Sequence, residues 1–417
     1  MKQSELFTKT LKSAPKDEAS ISAQLLTKAG FIQKLSAGIY SFLPLGFLVL
    51  KKIENIIREE MNTIGGQELL MPALHPKEIW EETGRWKTAD YLYKFKDRQD
   101  KYFALGATHE EVITDIVRKY VSSYKDLPLY IYQIQIKFRD ELRPKSGLLR
   151  TKEFIMKDLY SFHASEEDQK KYYEIVKKAY LKIFRRCGLD AIITEASGGI
   201  FSKEYSHEFQ VPTSAGEDTI YFCSSGDFSQ NREIAEKKTG DKCSKCGRII
   251  KEAKTIEVGN IFILGTKYSD PMKAYFSDKN GSKKPIIMGC YGIGLGRVMG
   301  TAVEVYHDDK GIIWPEEIAP FKVHLINLRS QISNLKIKET SDKIYEDLQS
   351  KGIAVLYDER EGKTAGEKFA DADLIGIPYR LVISEKTLGK NCVEVKERGK
   401  EKINLIKIKD LSKRFEI

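Results

Sequence analysis

The order of apolar and polar positions divides the chain into recognisable pieces. From Leu45 the apolar residues recur at helical spacing, at Leu48, Ile53, Ile56, Ile57 and Met61, and Gly65-Gly66 stops the run. Glu68-Leu69-Leu70-Met71-Pro72 then reads as a short strand ended by proline. Val112, Ile113, Ile116, Val117 and Tyr120 predict an amphipathic helix, entered through Thr108-His109-Glu110-Glu111. Thr108 with Glu111 three residues on has the spacing of a capping box. A third helix is predicted over Glu166–Cys187, with Tyr173, Val176, Tyr180 and Ile183 on its core face. Before it, from 136 to 162, an apolar strand delivers Arg139 and Glu141 two residues apart, hence on one face. The basic turn Arg143-Pro144-Lys145-Ser146-Gly147 leads into a return strand carrying Arg150, Glu153, Phe154 and Asp158.

Beyond Gly311–Pro320 the pattern changes. Strands are predicted at Phe321–Ile326, Ile353–Tyr357, Tyr379–Ser384 and Cys392–Lys396, with helices at Leu335–Leu348 and Gly366–Ile375. Strands alternating with helices imply a separate α/β domain, so the expected division is 1–318 and 319–417. A length of 417 residues also exceeds one ordinary core. No run of eighteen apolar residues occurs, and the first residues lack the apolar centre of a signal peptide. A soluble cytoplasmic protein without a membrane partner is expected. The net charge of +9 permits a polyanionic partner without requiring one. Six scattered cysteines fit a reducing compartment.

Candidate chemistry lies on the hairpin and on a glycine-rich stretch. Guanidinium groups grip phosphates bidentately, and carboxylates accept from amino groups, so the hairpin suits a nucleotide, with a polyanion beyond its basic tip. An ordinary charged surface hairpin would read the same way in isolation. Met288-Gly289-Cys290-Tyr291-Gly292-Ile293-Gly294-Leu295-Gly296-Arg297 brings backbone close to something and ends at a helix start. Its glycine spacing is not that of a dinucleotide-binding fold.

Taken together, Phe138-Arg139-Asp140-Glu141, the basic loop, Arg150-x-x-Glu153-Phe154 and the glycines ending in Arg297 resemble motifs 2 and 3 of class II aminoacyl-tRNA synthetases. The helix, turn and strand over about 36–72 resemble motif 1; motif 2 spans about 136–162 and motif 3 about 288–305. Thr108-His109-Glu110, Lys157-Asp158-Leu159-Tyr160-Ser161-Phe162 and Leu374-Ile375-Gly376-Ile377-Pro378 narrow the resemblance to the bacterial-type prolyl-tRNA synthetases, over nearly the whole chain. The resemblance implies an α+β fold, with an antiparallel-sheet catalytic core and a C-terminal α/β anticodon-binding domain. It also implies ATP with Mg2+, L-proline, tRNA(Pro) and a homodimer.

The resemblance assigns roles residue by residue. Arg139 and Arg297 would be catalytic. Thr108, Glu110, Arg139, His207, Phe262 and Cys290 would surround proline, although a lone histidine such as His207 is more often structural and Cys290 reads equally well as a core thiol. Arg139, Glu141, Arg150, Phe154, Glu257, Asn260 and Arg297 would hold ATP. Asn260 stands where the family often has histidine, and Gly106-Ala107-Thr108 replaces the family's Gly-Pro-Thr. Arg143 and Lys145 would meet the tRNA acceptor end.

The segment 223–254 reads differently. Cys223-x-x-Gly226 and Cys243-x-x-Cys246-Gly247 look like an eroded zinc ribbon, with glycine at one ligand position. Three thiolates need a further donor, water or Asp227, so bound zinc is not expected. The same segment is too short for the editing domain that many relatives carry between motifs 2 and 3, which implies a short form without editing of its own and a separate hydrolase acting in trans. Two rival readings are an amino-acid-activating paralogue and an RNA-binding relative without aminoacylation. The attached C-terminal domain argues against the first, and the presence of Arg139, Glu141 and Arg297 against the second.

Overall fold

The computed structural model describes residues 1–14, 18–199, 205–328 and 335–415. These fall into two compact units: 1–35, 40–52 and 302–417 in one, 36–39 and 53–301 in the other.

The larger unit is built on a nine-stranded sheet. Helix α1 (Pro44–Thr63) leads through Gly65, at φ +84°, into the edge strand β1 (Gln67–Glu68). The predicted strand over 68–72 is thus only two residues, pairing in parallel with Ile131 and Tyr132. The last backbone bond runs from the Leu69 N–H to the Tyr132 carbonyl at 2.9 Å; beyond it the Met71 N–H donates to the Gln133 side chain and Pro72 has none to give. Helix α2 (Glu110–Tyr120) precedes β2 (Leu129–Phe138) and β3 (Glu153–His163), which pair antiparallel along their whole length. Helix α3 (Glu166–Arg186) starts at the N-cap Ser165 and lays Tyr173, Val176, Tyr180 and Ile183 into the core, as its spacing predicts. Then come β4 (Ile192–Ala196), β5 (Ser206–Pro212), β6 (Asp218–Phe222), β7 (Ser229–Asn231), the long β8 (Lys251–Gly265), β9 (Ile287–Gly294) and helix α4 (Leu295–Val305). The sheet order is β5-β4-β7-β6-β8-β9-β3-β2-β1, with β5 also pairing to β8. Most neighbours run antiparallel, so one face can be packed by helices while the other carries a cleft.

Two expectations need correction here. Arg139 and Glu141 are not on a strand, because β2 ends at Phe138. The Asp140 N–H is drawn out to the carbonyl of Tyr91 at 2.8 Å, and the Glu141 N–H turns back to Arg139 at 2.7 Å, so the chain leaves the ladder. Arg150 likewise precedes β3, at the end of a 3-10 turn. The capping box at Thr108 is also absent. The N-cap of α2 is His109, with no side-chain cap bond.

In the other unit the C-terminal strands β10 (Val323–Leu328), β11 (Val355–Asp358), β12 (Tyr379–Ser384), β13 (Cys392–Glu397) and β14 (Ile403–Lys407) form one sheet in the order β11-β10-β12-β13-β14. Helices α5 (Leu335–Ser350) and α6 (Ala365–Ile375) connect the parallel strands. Thr364 and Glu367 form a true capping box at the start of α6, and Gly376 ends it at φ +80°. Any Cβ at Gly376 would lie 2.1 Å from the Ile312 carbonyl oxygen. Lys368 and Arg360 are spent on structure: Lys368 donates to the Asn327 carbonyl, and Arg360 bonds Asp358 and Asp371 at 2.7 and 2.8 Å.

Candidate active site

A cleft of about 440 Å³ opens on the large sheet, within the size range of small-molecule sites. Its floor is β8 from Thr255 to Phe262 with Cys290, Gly292 and Gly294 of β9. One wall is the β2–β3 hairpin, through Arg139, Glu141, Arg150, Phe154, Met156, Asp158 and Tyr160. Thr108 and Glu110 close one end, and Arg297 closes another. The register explains the floor. Asn260 lies opposite Gly292 and Phe262 opposite Cys290, so glycine alternates with small or polar groups where space is needed. At Gly289 a Cβ would meet the Tyr291 hydroxyl at 2.4 Å and the Ser161 hydroxyl at 2.8 Å, so that glycine serves packing.

Arg139 is the group left without a countercharge. Its guanidinium lies 5.2 Å from the centre of the Phe154 ring, and its Nε donates to the Ala107 carbonyl at 3.4 Å. Among the described residues it makes no ion pair, while burial and the positive charge of Arg297 push its pKa down. A half-buried guanidinium that lacks a carboxylate is a site for an anion. The other two arginines are held in reserve. Arg150 bonds Glu141 at 2.9 Å and Glu217 at 3.5 Å. Burial acts to raise Glu141, but the bonds from Arg150 and from the Arg143 N–H hold it below the usual range. Arg297 bonds the Glu257 carboxylate at 3.0 Å, the Glu257 carbonyl at 3.2 Å and the Leu149 carbonyl at 3.0 Å.

The opposite end is negative. Thr108 donates to Glu110, and the Cys290 thiol does so at 3.4 Å. Burial pushes that thiol far up, so it stays a donor. Arg85 lies 2.9 Å from both oxygens of Glu111 and 3.4 Å from Glu110. Burial, partly offset by Arg85, raises Glu111 to about 6. Two carboxylates thus share one cation, and the surplus charge sits at Glu110, facing the cleft. A substrate ammonium would complete the balance.

Beneath the cleft lies a buried polar network. Lys137 bonds Asp158 at 2.8 Å and the His109 Nδ1 at 2.6 Å, and Gln133 donates to Asp158 at 2.9 Å. The His109 Nε2 donates to the Pro72 carbonyl at 3.0 Å, and burial beside Lys137 keeps the ring neutral. This network braces the Thr108–Glu110 corner against the hairpin.

Not every predicted residue reaches the cleft. His207 is absent from its lining; its Nδ1 bonds the Tyr173 hydroxyl at 2.8 Å, and burial lowers its pKa to about 4. Its neighbour Glu208 accepts from Gln210 at 2.8 Å, Asn231 at 3.0 Å and Asn260 at 3.5 Å. Arg143 and Lys145 are exposed on the loop between β2 and β3. The sequence reading missed Arg85, Lys137 and Glu208. Neither buried cation gave a signal: Lys137 falls at a polar position of the alternation Ile134-Gln135-Ile136-Lys137-Phe138, and the partners of Arg85 are 25 and 26 residues on. Cys223, Cys243 and Cys246 cluster in the larger unit, outside the lining of the cleft.

Comparison with known proteins follows this geometry. The family model described as tRNA synthetase class II core domain (G, H, P, S and T) matches residues 93–306, and the anticodon binding domain model matches 322–416. A proline–tRNA ligase of Wolbachia pipientis wMel is 42% identical over 429 positions, covering 100% of this chain and 99% of that protein. A proline–tRNA ligase of Sulfurihydrogenibium sp. (strain YO3AOP1) is 39% identical over 559 positions, with 98% of each chain covered. That alignment is far longer than the 417 residues here, so the second relative carries more than a hundred positions without counterpart. In fold, the chain is similar to a prolyl-tRNA synthetase of Giardia lamblia solved with prolyl-adenylate, at a TM-score of 0.79 and 21% identity over 94% of this chain and 75% of that one. A prolyl-tRNA synthetase of Cryptosporidium parvum solved with halofuginone and AMPPNP gives 0.79 at 17% identity, with the same coverage.

Proposed function

The chain belongs to the prolyl-tRNA synthetases of class II, in a short form without an insertion domain, and from that premise we propose how its cleft works. The reaction is the activation of L-proline with ATP and the charging of tRNA. The proline carboxylate attacks the α-phosphorus of ATP, pyrophosphate leaves, and the terminal ribose hydroxyl of tRNA(Pro) then takes the prolyl group.

The observation that carries the reading is Arg139, a guanidinium without a carboxylate partner, placed between the Phe154 ring and the Thr108–Glu110 corner. Proline fits with its ammonium on Glu110 and its carboxylate toward Arg139, which also meets the α-phosphate. Phe262 and Cys290 would border its ring. Charge grows on the α-phosphate oxygens as the attack proceeds, so a fixed guanidinium favours the transition state over the ground state. Phe154 offers an aromatic surface to adenine. Arg150 and Arg297 would exchange Glu141, Glu217 and Glu257 for the outer phosphates. Glu141 would orient adenine or the tRNA terminus, and Asn260 would bond the nucleotide beside Glu257. Positioning and charge carry the chemistry, and no residue forms a covalent intermediate.

The carboxylates of Glu141 and Glu257 line the cleft and are hard oxygen donors of the kind that would hold a magnesium ion. When bound, that ion supplies countercharge to the outer phosphates. We assign the domains as 1–318 and 319–417, with a homodimer formed through the segment around 36–72 and a cytoplasmic location. No helix of the described residues is long and apolar enough to cross a membrane.

Arg139→Ala is the test. It should lower proline-dependent ATP–pyrophosphate exchange by about 10²- to 10³-fold, as expected for loss of one preorganised charge donor. Affinity for tRNA should stay nearly unchanged. Exchange retained at the wild-type rate would remove Arg139 from the chemistry.

A further inference from the structure

Three of the five cysteines that fall outside the reaction stand together. Cys223, Cys243 and Cys246 place their sulfurs within 4.8 Å of one another. The Cys223 and Cys246 sulfurs are 3.7 Å apart. A tetrahedral zinc site with Zn–S bonds of about 2.3 Å requires sulfurs about 3.8 Å apart. A disulfide would require about 2.05 Å.

The backbone around them repeats one hydrogen bond at two turns. The Cys223 N–H donates to the Phe228 carbonyl at 2.9 Å, and the Cys243 N–H donates to the Arg248 carbonyl at 2.8 Å, five residues on in each case. Each turn closes at a glycine with positive φ. Gly226, at +82°, donates to the Cys223 carbonyl at 3.0 Å, and Gly247, at +72°, donates to the Cys243 carbonyl at 2.9 Å. The two turns differ by one residue: the glycine bond spans three residues at Gly226 and four at Gly247, so Gly226 holds the position that Cys246 holds in the other turn. Both turns bring their cysteines to a common point.

A fourth donor stands beside the thiols. The Ser225 hydroxyl lies 2.7 Å from the Cys223 sulfur and 3.0 Å from the Cys246 sulfur, and it donates to the Asp227 carboxylate at 2.6 Å. The Asp227 carboxylate lies outside the tight cluster of sulfurs and is joined to it through that hydroxyl. Three thiolates and a carboxylate carry four negative charges; a divalent cation removes two, and Lys245 and Arg248, close to Asp227, offset the rest.

The surrounding module has only a small core among the described residues. Its buried apolar cluster is Tyr221, Cys223, Cys243 and Ile250, with Phe228 and Ala235 against it, and two of those four buried residues are the cysteines themselves. A segment with so little apolar surface to bury is the kind that a metal staples.

We propose that Cys223, Cys243 and Cys246 bind one zinc ion, with the nearby Asp227 carboxylate drawn in as fourth ligand to close a structural site. The expectation from sequence that zinc does not bind is thereby revised. The ion joins the turn after β6 to the hairpin before β8. Both strands pair with each other, from Asp218 opposite Thr255 to Phe222 opposite Lys251, so the metal fastens the strand pair whose start, at Asp218 and Thr255, lines the cleft. Ligation releases the thiol protons, so retention should weaken in acid.

The test is metal analysis of the full-length protein, purified without chelators from zinc-supplied cells. About one zinc per chain is expected, as for a closed four-ligand site. Cys243→Ser and Cys246→Ser should each lose it, and Asp227→Ala should lose it faster to a competing chelator. Cobalt substituted for zinc should show the visible bands of a tetrahedral thiolate site. Thiol titration of the wild-type protein needs no variant to fold, and it should find the three clustered sulfurs protected before chelation and reactive after it. Wild-type protein that retains no zinc, zinc that survives both cysteine variants, or a Cys223–Cys246 disulfide in the isolated protein would overturn the site. Chelator resistance unchanged in Asp227→Ala would overturn the carboxylate ligand.

Discussion

At the scale of residues, the site is decided by which charges are paired. Arg139 is legible in sequence as part of Phe-Arg-x-Glu, but that no described carboxylate pairs with it is not, because its surroundings, the Ala107 carbonyl and the Phe154 ring, come from other parts of the chain. Glu208 shows the same gap between sequence and site. It looks like an ordinary strand glutamate, yet burial, with Glu257 adding to the effect, raises its pKa to about 7. The sign of the consequence follows. As pH rises from the ordinary carboxylate range to about 7, the unfolded chain gives up this proton while the folded chain keeps it, so the group's contribution to stability falls across that window. Glu208→Gln removes the titration. The stability of the wild-type protein relative to Glu208→Gln should therefore drop between pH 5 and pH 7.5 by something on the order of 2 kcal/mol, given roughly 1.4 kcal/mol for each pKa unit. Denaturant melts of both proteins across that range check it, and a constant difference would show Glu208 to be ionised throughout.

At the scale of elements, the hairpin is the best-read part of the chain and also the one misplaced in detail. The basic turn located the hairpin and its return strand, but β2 runs Leu129–Phe138 and shares only its last three residues with the strand expected from Ile136. The functional groups were placed on strands, yet Arg139, Glu141 and Arg150 all sit just beyond strand ends, where local bonds outside any repeat set their direction. The Thr108 corner failed for the same reason: its hydroxyl goes to Glu110 and leaves the helix end uncapped. Long-range partners were out of reach altogether, as Arg85 and Lys137 show. On the loop itself, Arg143 and Lys145 are exposed, and Lys145 is tied only loosely to Glu217 at 3.3 Å. Replacing both by alanine should raise the KM for tRNA and flatten its salt dependence, by close to one unit of slope for each phosphate that is no longer neutralised. Exchange without tRNA should stay unchanged. Equal damage to both activities would mean that the loop shapes the cleft instead of meeting the acceptor end.

At the scale of the whole molecule, the alternation of strands and helices after residue 319 identified the α/β module, and the anticodon-binding model matches 322–416. What alternation does not carry is use: Arg360 is paired with Asp358 and Asp371, and Lys368 is bonded to the Asn327 carbonyl, inside the fold. The missing insertion has a chemical consequence. Alanine is smaller than proline, and a pocket rejects a smaller apolar substrate only weakly, by roughly 10- to 200-fold for each missing methylene. Purified Ala-tRNA(Pro) incubated with this chain should therefore persist, and its hydrolysis should need a separate enzyme; rapid deacylation by the chain alone would contradict this. The central claim is that the cleft activates proline. Amino-acid-dependent ATP–pyrophosphate exchange, run across all twenty amino acids with the purified protein, tests it most directly. Strong exchange with proline and weaker exchange with alanine is the predicted result. Exchange with a different amino acid, or none while tRNA still binds, would contradict it.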